Sequence, residues 1–229
     1  MSIVNCLTLS LADVPDDDGW LTSNERSRLA GLTFAKRRND WRLGRWTAKQ
    51  AVSRFLGRAC DFPSLAELEI RAAADGAPEV LVGGLPGAVS VSISHSRGRS
   101  FCVAAGTDAA VGCDIEWIEP RDDKLIQDYF TAGEAALVES WPPAERAAAF
   151  TLVWCAKESA LKSLREGLRR DTRSVIASIP SAGDKAVWNP LTVRCSESSR
   201  IFYGWWRIHS GFVYAVTSNS RDATVSAFP

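Results

Sequence analysis

Apolar residues recur along this chain with two different periods, and the switches between them mark out its elements. Residues 3–9 alternate and read as a strand. TSNERSRLAGL offers Thr22 or Ser23 as a helix cap, with Glu25 or Arg26 in the first turn. A longer helical pattern runs from about Phe34 to Leu56. Residues 60–88 are punctuated by Pro and Gly, and short strands are expected at 67–71 and 79–82. AVSVSISHS alternates and reads as a strand, and SFCVAAGTDAAVGCDIEWI as a hairpin around a Gly-Thr-Asp turn. Short helices follow at 122–130 and 132–140, then a longer one over 150–168. The remaining chain holds strands near 174–179 and 191–195, and at IFYGWWRI and GFVYAVTSN. Each half places a long helix ahead of strands. The expected class is α+β, with two similar-sized halves, 1–110 and 111–229, meeting near Thr107–Val111. No internal repeat, low-complexity tract or charged tail is evident.

The 150–168 helix carries an anomaly. Phe150, Val153, Trp154, Leu161, Leu164 and Leu168 share one face, and Lys157 falls near the middle of that stripe. Glu158, Lys162 and Arg165 lie on its shoulder. An ammonium among apolar side chains costs free energy unless it reaches a partner or water. Snorkelling to the rim is the simplest relief. A head group directed at Glu116 or at a bound phosphate is the functional alternative.

Length and composition narrow the field only modestly. The 229 residues are 46% hydrophobic, enough for a substantial core. Lys and Arg balance Asp and Glu, so bulk charge points to neither nucleic acid nor an anionic membrane as partner. Six cysteines are scattered without the close spacing of a zinc or redox motif, which fits a reduced, cytoplasmic protein. The N-terminal segment reads as a first strand and not as a leader. No run approaches the roughly 20 apolar residues of a membrane span.

Four clusters carry candidate chemistry. In VGCDIEWIEPR, Asp114 and Glu116 occupy one face of a strand. They suit a hard divalent cation, or are two solvated charges on an open sheet face. Glu158 would add a third carboxylate if the helix packs on this strand, with Lys157 facing a phosphate. In KRRNDWRLGRWTAKQAVSRFLG, Arg38, Arg42, Arg45 and Lys49 align at spacings of 4, 3 and 4 beside an apolar face that includes Gly44, where close packing is expected. That stripe suits a polyanion, or is a solvated face. In SISHS, His95 shares the parity of Val91 and Ile93, while Ser94 and Ser96 take the other face. There is no Gly-x-x-x-x-Gly-Lys-Ser/Thr loop and no Gly-x-Gly-x-x-Gly, so side chains must hold any phosphate.

VGCDIEWIEPR followed about forty residues later by WCAKESALK resembles the paired signatures of 4'-phosphopantetheinyl transferases of the larger, surfactin-synthetase-type class. FTAGEAAL, SISHS and RRNDWRLGRWTAK extend the resemblance over about residues 34–168. It implies a pseudo-twofold α+β fold of two halves, each a long helix on a small antiparallel sheet, with coenzyme A in the cleft between them. The first half, 1–110, would bind the nucleotide; the second, 111–229, would carry the metal site. Asp114, Glu116 and Glu158 would hold Mg2+, with Mn2+ as a substitute. Lys157 and Lys162 would contact phosphates, and Arg38, Arg45, Lys49, Gly76, Pro78, Ser94 and His95 would line the rest of the coenzyme A site. The implied reaction transfers phosphopantetheine to a serine of an apo acyl or peptidyl carrier protein, serving fatty acid, polyketide or nonribosomal peptide synthesis, and releases 3',5'-ADP. Glu158 is the first choice of base, with Glu116 and Glu134 as alternatives, and Lys157 would stabilise charge on the leaving nucleotide. Many relatives have Gly-Lys-Pro in the segment corresponding to DGAPEV; here Ala77 takes the lysine's place. The expected species is a cytoplasmic monomer with no nucleic-acid or membrane partner. The rival reading is a non-enzymatic phosphate or nucleic-acid binding module built on the Arg38–Lys49 stripe.

Overall fold

The computed structural model describes residues 3–166, 169–180 and 184–228. The chain divides into two compact units, 1–109 with 224–229, and 110–223. In the first unit, β1 (Ile3–Ser10), β5 (Ser90–Ser96), β6 (Arg99–Ala105) and β12 (Thr224–Ala227) form one sheet in the order β12-β1-β6-β5. A smaller sheet joins β2 (Leu68–Ala72), β3 (Pro78–Val82) and β4 (Leu85–Pro86). The long helix α2 (Ala35–Phe55) packs on β6, β1 and β5. Helices α1 (Ser23–Ala30) and α3 (Phe62–Ala66) flank it. Thr22 caps α1 in a reciprocal box with Glu25, as the sequence pattern suggested. Leu43, Ala48 and Val52 of α2 are buried. Ala48 and Val52 join Trp20, Leu65, Ile70 and Cys102 in one core cluster.

The second unit is a sheet in the order β7-β11-β10-β9-β8, with α6 (Arg146–Ser163) packed on it. Its strands are β7 (Val111–Trp117), β8 (Val175–Ser178), β9 (Asn189–Cys195), β10 (Ile201–His209) and β11 (Phe212–Ser218). Helices α4 (Asp123–Tyr129) and α5 (Ala132–Ser140) precede α6. The α+β class and the small, mainly antiparallel sheets agree with expectation. Among the described residues no helix is long and apolar enough to cross a membrane.

Three expectations need correction. Residues 100–118 do not form a hairpin: β6 pairs with β1 and β5, and β7 pairs with β11. The tight hairpins are β3–β4, β5–β6 and β10–β11. Their two-residue loops, Gly83-Gly84, Arg97-Gly98 and Ser210-Gly211, have positive φ throughout, the backbone that matches the twist of adjoining strands. The C-terminal segment does not belong with 111–223, because β12 pairs in parallel with β1. Finally, α6 is not a one-striped helix. It is buried on nearly every side, since α5 and β8 pack on it as well as β7 and β11. It ends at Ser163, with Arg165 in the left-handed region; Leu168 lies outside the described residues.

Candidate active site

The site is built where α6 lies on β7. Gly112, Asp114 and Glu116 share one strand face, and that face is turned toward the helix. A Cβ at Gly112 would stand 1.9 Å from the Ser159 carbonyl oxygen and 2.8 Å from the Ser163 amide nitrogen. Only glycine lets the helix backbone come so close. Ser163 Oγ then meets Thr217 Oγ1 at 2.9 Å, fastening the last turn of α6 to β11. The open-face alternative for Asp114 is thereby excluded: its side chain is 4% exposed.

Opposite this strand, Trp154, Glu158 and Lys162 recur every four residues and are the less buried strip of α6. Lys162 Nζ donates to Asp114 Oδ1 at 2.7 Å and to the Cys113 carbonyl at 3.0 Å. Burial alone would depress the Lys162 pKa, but Asp114 and Glu158 outweigh it and hold the ammonium above its ordinary range. Glu158, one turn earlier, has a buried Oε1 that accepts no hydrogen bond. Burial, reinforced by the Asp114 and Glu116 carboxylates and opposed by Lys162, raises its pKa to about 7. Three carboxylates and an ammonium therefore share one field. Their hard oxygen donors, and the orphaned Glu158 oxygen above all, suit a small divalent cation. Among the described residues no three such side chains already stand close enough to cage one.

Lys157 is buried as expected, yet it points elsewhere. Its ammonium donates to both oxygens of Glu134, at 2.8 and 2.7 Å, and to the Val175 carbonyl at 2.7 Å. All three protons are used within the fold, so neither Glu116 nor a phosphate is its target. Glu134 is equally committed. It closes the capping box of α5 with Thr131 and accepts from the Ala177 amide, which removes it as a candidate base. The first unit contains the same device. Lys49 Nζ stands 2.5 Å from Glu25, donates to the Trp20 and Leu65 carbonyls, and is fully buried. Glu25 caps α1 and accepts from the Ile70 amide. LTSNE and FTAGE, then WTAK and WCAK, carry the two copies, so a short internal repeat exists that the sequence reading missed.

The expected basic stripe is largely occupied by its own unit. Lys49 is a structural ion pair and not a phosphate ligand. Arg38 donates to the Leu29 carbonyl at the end of α1, and Arg42 to Asp18 and the Pro15 carbonyl. A polyanion would not meet a continuous row of free cations, which removes the basis of the binding-module alternative. Arg45 differs. Its guanidinium lies 5.0 Å from the Trp41 ring centre, and its buried Nε has no hydrogen-bond partner. Desolvation, partly countered by Glu25 and reinforced by Arg28, depresses its pKa. A Cβ on Gly44 would meet Ile93 Cγ2 at 3.7 Å, an ordinary contact, so this glycine is not required by close packing. That crossing sets Arg45 and His95 each within two residues of one point in the first unit. His95 is exposed, not packed, and Ser94 is buried. Gly76, at φ +84°, turns the β2–β3 hairpin, and Pro78 opens β3.

Comparison with known proteins bears on this unit. Residues 110–216 match the 4'-phosphopantetheinyl transferase superfamily. The match opens at Ala110, the first residue of the second unit, and contains Asp114, Glu116, Glu134, Lys157, Glu158 and Lys162. The chain is 38% identical over 93 residues to the 4'-phosphopantetheinyl transferase AcpT of Salmonella typhimurium, covering 40% of this chain and 47% of that one. It thus spans about half the length of that relative. It is 24% identical over 163 residues to HetI of a Nostoc species, described by the same activity, covering 70% of this chain and 66% of HetI. A holo-(acyl-carrier-protein) synthase from Bacillus anthracis, solved in complex with CoA (3',5'-ADP), overlaps 45% of this chain with a TM-score of 0.38 at 25% identity.

Proposed function

We propose that this protein transfers 4'-phosphopantetheine from coenzyme A to a serine of an apo acyl or peptidyl carrier protein and releases 3',5'-ADP, as a member of the larger, surfactin-synthetase-type class. The observation that carries this reading is the Asp114–Glu158–Lys162 cluster on the α6–β7 seam, within the segment that matches the superfamily. Asp114, Glu116 and Glu158 would hold Mg2+, which when bound would neutralise charge on the diphosphate being cleaved and on the departing 5'-phosphate of 3',5'-ADP. Lys162 would contact the phosphates. Arg45 and His95, with Ser94, Gly76 and Pro78 also of the first unit, would receive the nucleotide end. A guanidinium whose buried Nε lacks a hydrogen-bond partner supports that role better than the occupied Arg38 or Lys49. Ala77 leaves this end without the lysine many relatives have there.

The reaction forms a bond between the serine Oγ and the β-phosphorus and breaks the bond from that phosphorus to the bridging oxygen. Positioning and charge neutralisation supply most of the catalysis in such transfers. Glu158, whose buried Oε1 has no hydrogen-bond partner, takes the serine proton. The working species is a cytoplasmic monomer. Coenzyme A labelled on its thiol tests the proposal. With the wild-type protein, label should pass from coenzyme A to an apo carrier, and Glu158→Gln should abolish transfer with the fold intact. Near wild-type labelling by that variant would overturn the assignment of Glu158.

A further inference from the structure

Lys162 stands on the carboxylate that a metal ion would need. Its ammonium holds Asp114 Oδ1 and the Cys113 carbonyl, and Glu158 deepens the negative potential that keeps it there. The backbone beneath it is fixed by the Gly112 contact and the Ser163–Thr217 bond. The head group is not: the side chain is 26% exposed, at the end of a flexible four-carbon stem in the last turn of α6. A divalent cation arriving by itself would have to share Asp114 with an ammonium, and like charges at such separations repel strongly where water is sparse. A diphosphate resolves the conflict, because its oxygens can ligate the cation and also receive the lysine.

We infer that Lys162 couples the two binding events. It neutralises Asp114 while no substrate is present, and yields that carboxylate to the cation only when a diphosphate takes the ammonium. Cation and coenzyme A then bind with positive cooperativity, and linkage makes the coupling reciprocal. The inference rests on the transferase reading.

The test measures Mn2+ affinity of the full chain by water-proton relaxation, with and without saturating coenzyme A, corrected for Mn2+ held by free coenzyme A. Wild-type protein should bind Mn2+ roughly tenfold or more tighter when coenzyme A is present, within the usual range of coupled sites. Lys162→Met should bind Mn2+ alone about tenfold more tightly than wild type and lose most of the coupling, whereas Lys162→Arg, which keeps the charge, should retain it. Equal wild-type affinity with and without coenzyme A would overturn the inference. So would a Lys162→Met protein that binds Mn2+ alone no better than wild type. A wild-type chain that takes up neither Mn2+ nor coenzyme A would instead remove the transferase reading itself.

Discussion

Glu158→Gln should stabilise the protein while abolishing its activity. In the native state the carboxyl titrates near 7 against an ordinary 4.5, chiefly because it is buried and secondly because Asp114 is close. A raised carboxyl pKa means that the native state binds the proton more tightly than the unfolded chain does. Native stability is therefore unaffected below about pH 4.5, falls as pH rises through 4.5–7, and stays reduced above 7. The full shift would correspond to about 3 kcal/mol. Glu158 is only partly buried, and screening by solvent lowers the figure to about 1–2 kcal/mol. Glutamine keeps the shape and removes the titration. At pH 8, without divalent ions, the variant should melt roughly 3–6 °C above wild type. Near pH 4.5 the two should melt together. The assay is thermal unfolding followed by circular dichroism across pH 4.5–8 in chelator. A variant less stable than wild type at pH 8, or a difference that does not change with pH, would refute the electrostatic reasoning. Added Mg2+ should raise the wild-type midpoint at pH 8 and leave that of the variant where it was.

Other perturbations separate architecture from chemistry. Gly112→Ala forces a methyl to within 1.9 Å of a backbone carbonyl and should cost at least about 3 kcal/mol in denaturant unfolding. Gly44→Ala meets only ordinary contact in a helix interior and should stabilise by up to about 1 kcal/mol in the same experiment. Lys157→Met strands Glu134 as a buried carboxylate without its ion-pair partner and should cost about 3–5 kcal/mol, with Lys157→Met/Glu134→Gln, which removes the charge and keeps an acceptor for the Thr131 or Ala177 amide, recovering part of that loss. Arg45→Ala should weaken coenzyme A binding by calorimetry while leaving Mn2+ affinity measured without coenzyme A unchanged, since Arg45 is not one of the three carboxylates proposed to hold the ion.

Much of this site was legible because local rules agreed with the fold. Alternation in VGCDIEW put Asp114 and Glu116 on one face, and helical spacing put Glu158 and Lys162 one turn apart. The role of Gly112 was hidden because close approach of two backbones leaves no periodic trace. Lys157 was misdirected for a related reason. A helix wheel shows that a charge enters the core but not which element meets it, and the partner Glu134 looked like an ordinary capping residue. The matched pairs LTSNE/WTAK and FTAGE/WCAK were the available signal: a lysine repeated beside the same tryptophan spacing, in two helices, marks architecture more readily than catalysis. The 100–118 hairpin failed because a run of buried alternating residues does not reveal which sheet each strand joins. The Gly-Gly, Arg-Gly and Ser-Gly dipeptides that close the real hairpins were the stronger local evidence.

Intact-mass spectrometry of an apo carrier protein tests the central claim most directly. After incubation with this protein, coenzyme A and Mg2+, the account predicts a carrier heavier by one phosphopantetheine, an equal amount of 3',5'-ADP, and no change when the divalent ion is chelated. A panel of acyl and peptidyl carriers that all keep their apo mass, with folded protein and Mg2+ present, would contradict it.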